Sequence, residues 1–349
     1  MFSKVFIDET ALLHNLQHLK RLAAPAKFLA MVKTDAYGCG LKNVVPLLDG
    51  HVDAFGVVTI DEALAIRQLG AKTPCVIFQG VLTSKEWQLA AKNDFTCAIH
   101  QKAQLETLLH TNLSKKVAVW LKINTGMNRL GLLEEDVPKV IKDLTNFKWI
   151  KTPLTLMTHF ANADNLNHPL NKTQINNFHK LTSKFACQTS INNSAAILQN
   201  LCPKTDVVRA GISLYGVSPF QDKDGIDLGL VPVMRFESII VQIYKVPQGA
   251  LVGYGSIWQA QRPSLLGVIP TGYGDGYPRV VNNAYVAING HKAQIIGRVS
   301  MNSMVIDLTD LPQTKVNTKV ELWGKDMPVE KVARAANTIG YELLCRMRR

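Results

Sequence analysis

Between residues 28 and 215, eight short apolar runs (FLAMV, AFGVV, CVIFQ, TCAIH, VAVWLKI, LTLMTH, TSIN and VVRAGISLY) alternate with longer stretches of helical periodicity. Short apolar runs bounded by polar residues read as strands, and the intervening 3.6-residue period reads as helix. Stretches such as Asp61 to Gly70 open on an acidic capping residue and end on glycine, as helices do. A doubly wound open sheet would carry the same alternation, and a count of eight points to a closed (β/α)8 TIM-like barrel.

After about residue 230 the pattern changes to strand-like runs separated by turn residues: SIIVQIYKV, SLLGVIP, AYVAIN, AQIIGRV, MVIDL and KVELWG, with one late helix around Val329 to Thr338. This half reads as a mostly antiparallel β domain. The chain of 349 residues is long for one core at about 150 residues per domain. We therefore expect a barrel over 9–230 and a β domain over 231–349, joined by residues 1–8, with the boundary near Gly225 to Pro232 after the polar loop Gln221 to Gly225.

With 47% hydrophobic and 19% charged residues, and no segment near the ~18 uninterrupted apolar residues of a membrane span, disorder and membrane insertion are not expected. The opening MFSKVFIDET carries acidic residues and lacks the pattern of a secretory signal. The six cysteines include no C-x-x-C pair, which suits neither a disulfide framework nor a zinc site, so no metal is expected and the cytoplasm is the simplest location. Net charge is +12, yet the basic residues are spread along the chain and only Arg346-Met-Arg-Arg is locally dense. That distribution suits an anionic small molecule rather than nucleic acid.

In a barrel, chemistry belongs at the C-terminal ends of the strands and in the loops after them. Lys33 follows the first run, Lys122 and Arg129 the fifth, His159 the sixth and Asn193-Ser194 the seventh, while Arg209 and Gly211 lie in the eighth. Loops after the last two strands of such barrels often bind phosphate. Here Ser194 reads as a helix cap whose hydroxyl can donate to phosphate, and Ala210-Gly211-Ile212 as a backbone that allows close approach. A lysine and a phosphate site at one rim are what pyridoxal 5'-phosphate requires: an amine to bond its aldehyde and donors for its phosphate.

At these residues the sequence resembles the alanine racemases. VKTDAYGCG (Val32 to Gly40), LKINTGMNRLG (Leu121 to Gly131), LMTHFANAD (Leu156 to Asp164), NNSAA (Asn192 to Ala196) and VRAGISLYG (Val208 to Gly216) are similar to family signatures. VGYG (Val252 to Gly255), TGYGDGYPR (Thr271 to Arg279) and GRVSMN (Gly297 to Asn302) continue the likeness in order, so it covers nearly the whole chain. It implies interconversion of L- and D-alanine with pyridoxal phosphate by two bases, supplying D-alanine for peptidoglycan.

The resemblance also implies roles. Lys33 carries the cofactor and is the base toward D-alanine, and Tyr254 is the base toward L-alanine on the opposite face, as racemisation requires. A tyrosine has an ordinary pKa near 10, so Tyr254 needs a partner such as His159, placed between it and Arg209. Arg209 faces the ring nitrogen, to which a guanidinium donates a hydrogen bond without giving up its proton. Arg129 reaches the substrate carboxylate, and Lys122 corresponds to a lysine that many members carry as a carbamate. Tyr254 and Met301 enter from the partner subunit of a homodimer with shared active sites, and Tyr273 lines the entrance. Tyr37, Asn193, Ser194, Gly211 and Ile212 hold the cofactor.

Several positions depart from the family pattern: Cys39 stands where histidine is usual, Asn124 and Asn302 where aspartate is usual, and Ala210 where proline is common. Some members use a tyrosine near an Arg-Val-Pro-Arg-like segment as a phosphate ligand, a role assigned to no residue here beyond Arg349. Pyridoxal-phosphate decarboxylases of basic amino acids share the expected architecture but use a carboxylate at the ring nitrogen, which Arg209 argues against. A racemase of broader specificity stays open, because a methylene in a pocket is worth only ~1–3 kcal/mol.

Overall fold

A computed structural model describes residues 2–347; Arg348 and Arg349 of the C-terminal basic run lie outside the described residues. The chain forms two compact units, one of Leu16–Leu214 and one of the chain through Asn15 together with Tyr215 onward. Strand β1 (Lys4–Ile7) belongs to the second unit.

The first unit is built on β2 (Lys27–Met31), β3 (Ala54–Val57), β4 (Cys75–Ile77), β5 (Thr96–Ile99), β6 (Ala118–Lys122), β7 (Thr155–Met157), β8 (Gln188–Ser190) and β9 (Val207–Ala210). All neighbouring pairs are parallel, in the order β8-β7-β6-β5-β4-β3-β2-β9. Closure between β8 and β9 is made by Asp206 N–H donating to Thr189 O (3.1 Å) and Arg209 N–H donating to Asn192 O (2.9 Å). Each strand overlaps one of the eight apolar runs, so the barrel, and not the open sheet, is the fold. The last run reads past its strand, because the chain tightens after Ala210 into a 3-10 turn over Ile212–Tyr215, with Leu214 N–H donating to Gly211 O.

Leu29, Val76, Ala98, Trp120, Met157 and Val207, one from each of six strands, pack into a buried cluster. At about 25 cal/mol per Å² of apolar surface, burial of such side chains is the main favourable term holding the barrel. The helix Ile60–Gln68 is capped by Thr59, not by Asp61 as its sequence suggests. The Thr59 hydroxyl accepts from Glu62 N–H while the Glu62 carboxylate accepts from Thr59 N–H, a reciprocal arrangement that leaves Asp61 inside the first turn.

The second unit contains β10 (Met234–Ile239), β11 (Gln242–Val246), β12 (Leu251–Val252), β13 (Trp258–Gln259), β14 (Ser264–Ile269), β15 (Tyr285–Ile288), β16 (His291–Ile296), β17 (Met304–Asp307) and β18 (Lys319–Trp323). Its main sheet is antiparallel, in the order β1-β10-β18-β15-β16-β17-β14-β11, with β12-β13 as a separate hairpin. The run SIIVQIYKV is two strands, since Ile240 N–H donates to Thr318 O whereas Val241 N–H donates to Val268 O, and the chain changes partners there. The late helical segment is also double, Val329–Ala335 and Gly340–Cys345, separated where Asn337 adopts a left-handed φ of 53°. Residues 215–230 are tied to this unit: Glu330 Oε1 accepts from Ser218 N–H (2.7 Å) and Gly225 N–H (2.9 Å). None of the six cysteines forms a disulfide among the described residues, and no helix among them is long and apolar enough to cross a membrane.

Candidate active site

Five basic side chains converge at the C-terminal end of the barrel. Lys122 closes β6 and is buried. Its pKa is pushed down to about 8, first by burial and then by the charges of Arg129, Arg209 and Lys33. His159, two residues beyond β7, is held well below its ordinary value by burial and by Arg209, Lys122, Arg129 and Lys33. That so many cations act on the same two groups puts Lys33, Lys122, Arg129, His159 and Arg209 in one electropositive mouth, suited to an anion.

Arg209 is buried within β9, where its guanidinium donates to Ser190 Oγ (2.6 Å), Thr158 O (2.8 Å) and Ile191 O (3.2 Å). Burial lowers its pKa. The three oxygen acceptors hold the cation, and arginine keeps its proton under protein conditions. One guanidinium nitrogen also lies 3.3 Å from His159 Nδ1. Because arginine can only donate, Nδ1 accepts, and the neutral ring carries its proton on Nε2.

Lys33 follows β2 and begins a turn of unusual backbone. Thr34, Asp35, Ala36 and Tyr37 have φ of 60°, 52°, 53° and 54°, four successive left-handed residues without a glycine. Such a conformation costs roughly 1–2 kcal/mol per residue for L-amino acids. The turn is closed by Ala36 N–H to Val32 O (2.9 Å), Gly38 N–H to Thr34 O (3.1 Å) and Gly40 N–H to Asp35 O (2.9 Å). The Asp35 carboxylate accepts from Leu41 N–H (2.7 Å). Cys39 is buried within the turn.

The turn brings buried Tyr37 against the loop after β9. A Cβ built on Gly211 would stand 2.5 Å from Tyr37 Oη, so only glycine fits. Ser194 Oγ accepts from Gly211 N–H (2.8 Å) and Ser213 N–H (3.4 Å), which leaves its own proton to donate. The helix cap is Asn193, whose side chain accepts from Ala196 N–H (3.0 Å); Ser194, expected as the cap, is the first helical residue. Ile212 is buried beside Gly211, and the Ser213 hydroxyl is buried without a hydrogen-bond partner among the described residues.

The loop carrying Arg129 is organised by Asn124. Its amide oxygen accepts from Gly126 N–H (3.2 Å) and Asn128 N–H (3.0 Å), and its amide nitrogen donates to Asn128 Oδ1 (2.9 Å). An aspartate could accept the same two N–H groups, and the asparagine adds the donated bond, which accounts for the departure at 124. Gln174, fully buried, donates to His159 O (2.9 Å) and Thr125 Oγ1 (3.3 Å) and accepts from Ala161 N–H (3.0 Å), tying the loops after β6 and β7 together.

In the second unit, Tyr254 lies in a 3-10 turn between β12 and β13 and is 70% exposed. Its neighbour Gly255 has a φ of 72°, and a Cβ there would stand 2.9 Å from Arg298 Nη1. Met301 is 57% exposed, and its loop is tied to that of Tyr273 by Tyr273 N–H to Ser300 O (3.1 Å) and Gly274 N–H to Met301 O (2.8 Å). Ser190, Gln174, Asn128 and Glu62, which sequence reasoning did not single out, are structural partners of the expected residues. Only the Thr59-Glu62 spacing carried a local signal, and that signal spoke for a helix cap.

The alanine racemase N-terminal domain model matches residues 7–219, and the C-terminal domain model matches 233–349. The chain is 48% identical over 346 residues to an alanine racemase of Legionella pneumophila, covering 99% of this chain and 97% of the relative. The structure of an alanine racemase from Acinetobacter baumannii superposes with a TM-score of 0.94 at 42% identity, covering 99% of this chain and 97% of that one. A Bartonella henselae alanine racemase with covalently bound pyridoxal phosphate does so with a TM-score of 0.89 at 31% identity, covering 100% and 98%.

Proposed function

The chain belongs to the alanine racemase family, and we propose that it interconverts L- and D-alanine with pyridoxal phosphate bound at the barrel mouth. The observation that carries this reading is the convergence of Lys33, Lys122, His159 and Arg209 with no carboxylate among the groups that perturb Lys122 and His159. The fit of the cofactor is supported by the buried, unpartnered Ser213 hydroxyl beside Ser194, and by the absence of a side chain at Gly211 that lets Tyr37 Oη approach. Tyr37, Ser194 and the backbone at Gly211 and Ile212 hold the phosphate side, Asn193 fixes Ser194, and Arg209 donates to the ring nitrogen.

When bound, pyridoxal phosphate supplies an electron sink that makes the Cα proton of alanine removable. Lys33 Nζ removes or returns that proton on one face, and Tyr254 Oη does so on the other. Neutral His159 offers its Nε2 proton to the phenolate of Tyr254, lowering the cost of its ionisation. Arg209 cannot protonate the ring nitrogen, which limits charge delocalisation and suits return of the proton to Cα. Arg129 binds the substrate carboxylate with Met301 N–H, and Tyr273 lines the entrance.

Lys122, with its pKa near 8, has a neutral amine available at mildly alkaline pH for capture of carbon dioxide. The resulting carbamate anion holds Arg129 and offsets the clustered positive charge. Tyr254 and Met301 reach the site from the partner subunit of a homodimer, a reading supported by the exposure of Leu251, Tyr254, Ile257 and Met301. The enzyme works in the cytoplasm and supplies D-alanine for peptidoglycan.

The test is a pair of variants assayed in both directions. Lys33→Ala loses the absorption band of lysine-bound cofactor and both directions of turnover. Tyr254→Phe keeps the band and chiefly impairs proton removal from L-alanine; unchanged L-alanine turnover in it refutes the two-base assignment. Comparable turnover of serine or lysine replaces the alanine reading with a broad-specificity racemase.

A further inference from the structure

We infer that Glu62 is a positioning residue for Lys33, acting through the left-handed turn that follows the lysine. This inference rests on the proposed function and adds to it a group that lies on a different strand-helix unit from Lys33. Glu62 Oε1 accepts from the N–H of Thr34, the residue after Lys33, at 2.6 Å. Its other oxygen accepts from Val58 N–H (2.8 Å) and Thr59 N–H (3.4 Å) just beyond β3. The carboxylate therefore bridges the end of β3 to the first left-handed residue of the turn. Val32 N–H donates to Gly56 O (2.9 Å), so the chain on the other side of Lys33 is fixed to β3 as well.

Four left-handed residues in a row persist only where their surroundings over-determine them. The bonds within the turn fix its shape and tie Ala36 back to Val32 O, but none of them holds the N–H of Thr34, the first left-handed residue. Glu62 supplies that anchor. Without it the turn can relax toward ordinary backbone, and the lysine stem, whose Cα is one residue away, swings from its position. A capping-box glutamate needs only to reach back to its own N-cap; the bond to Thr34 lies 28 residues away and serves no helix.

The shorter Glu62→Asp separates the two roles. An aspartate at the third helical position can still serve Thr59, but its carboxylate is one methylene short of Thr34. In the full-length apoprotein, the rate constant for capture of pyridoxal phosphate, followed by stopped-flow absorbance, is expected to fall about tenfold in Glu62→Asp. The pH profile of the band should shift, and kcat should fall with little change in KM for alanine. Adding Thr34→Gly to Glu62→Asp, which removes the left-handed penalty at the residue Glu62 grips, restores most of the capture rate. A helix-capping role alone predicts a lower melting temperature, unchanged capture and no rescue by Thr34→Gly, and that result overturns the inference. If Glu62→Asp fails to fold, Thr34→Gly with Glu62→Gln is read by the same criterion, and failure of the glycine to improve capture counts against it. Absence of the band in the parent protein defeats the proposed function itself, whereas a normal parent band with unaltered variants defeats only the role of Glu62.

Discussion

Gly211→Ala tests the contact between the Lys33 turn and the loop after β9. The added carbon would stand 2.5 Å from Tyr37 Oη, 3.3 Å from its Cζ and 3.8 Å from Met31 Cβ. The first distance is roughly 1 Å short of an ordinary carbon-oxygen contact. Tyr37 is buried and its backbone is held in the left-handed turn, so it cannot retreat freely. Overpacking of this kind costs about 1–3 kcal/mol, and displacement of Tyr37 from the phosphate side should weaken cofactor binding about tenfold or more. Equilibrium dialysis of pyridoxal phosphate and urea unfolding of the apoprotein measure the two effects. Tyr37→Phe alone should weaken the cofactor by removing a hydrogen bond worth about 1 kcal/mol. In the double variant the closest remaining atom is the ring carbon at 3.3 Å, so the stability loss should shrink to below about 1 kcal/mol. A Gly211→Ala protein as stable as the parent, or one not relieved by Tyr37→Phe, refutes the steric argument.

Lys122 carries a pH dependence of definite sign. Its folded pKa of about 8 lies below the ordinary 10.5, so between these values the unfolded chain binds more protons and stability rises with pH. From roughly pH 7.5 to 9.5 this group should add about 2 kcal/mol to the apoprotein, an increment missing in Lys122→Met. Carbon-13 bicarbonate should give a carbamate resonance lost in Lys122→Ala. His159 is depressed, so its penalty grows as pH falls below the ordinary histidine value of 6.5, and His159→Gln should flatten the acid side of the unfolding profile. Gln174→Ala should lower kcat and stability together, by about 2–4 kcal/mol in stability, because it unties the loops after β6 and β7 and takes the Gln174 partner from His159 O and Ala161 N–H, while Thr125 Oγ1 keeps its bond to Thr158 Oγ1.

The barrel was legible because its strands are buried on both faces and read as compact apolar runs with helical intervals. The β domain was less so: the break between β10 and β11 lies inside one continuous apolar run, and only the change of hydrogen-bond partner at Ile240 and Val241 separates them. Strand-end placement brought Lys33, Lys122, His159 and Arg209 into view, as their types at those positions are chemically conspicuous. Their supports were invisible for a common reason. Glu62 meets Thr34 across 28 positions and Gln174 meets Thr125 across 49, and neither contact leaves a local pattern. The left-handed turn was hidden as well, since Thr34, Asp35, Ala36 and Tyr37 include no glycine to announce it.

The most direct test of alanine racemisation follows L-alanine with the cofactor-loaded protein in deuterium oxide, recording optical activity and Cα deuterium by NMR. Racemisation predicts decay of optical activity to zero with deuterium in both enantiomers, abolished by Lys33→Ala. Retained optical activity, or loss of alanine to pyruvate or ethylamine, would contradict it.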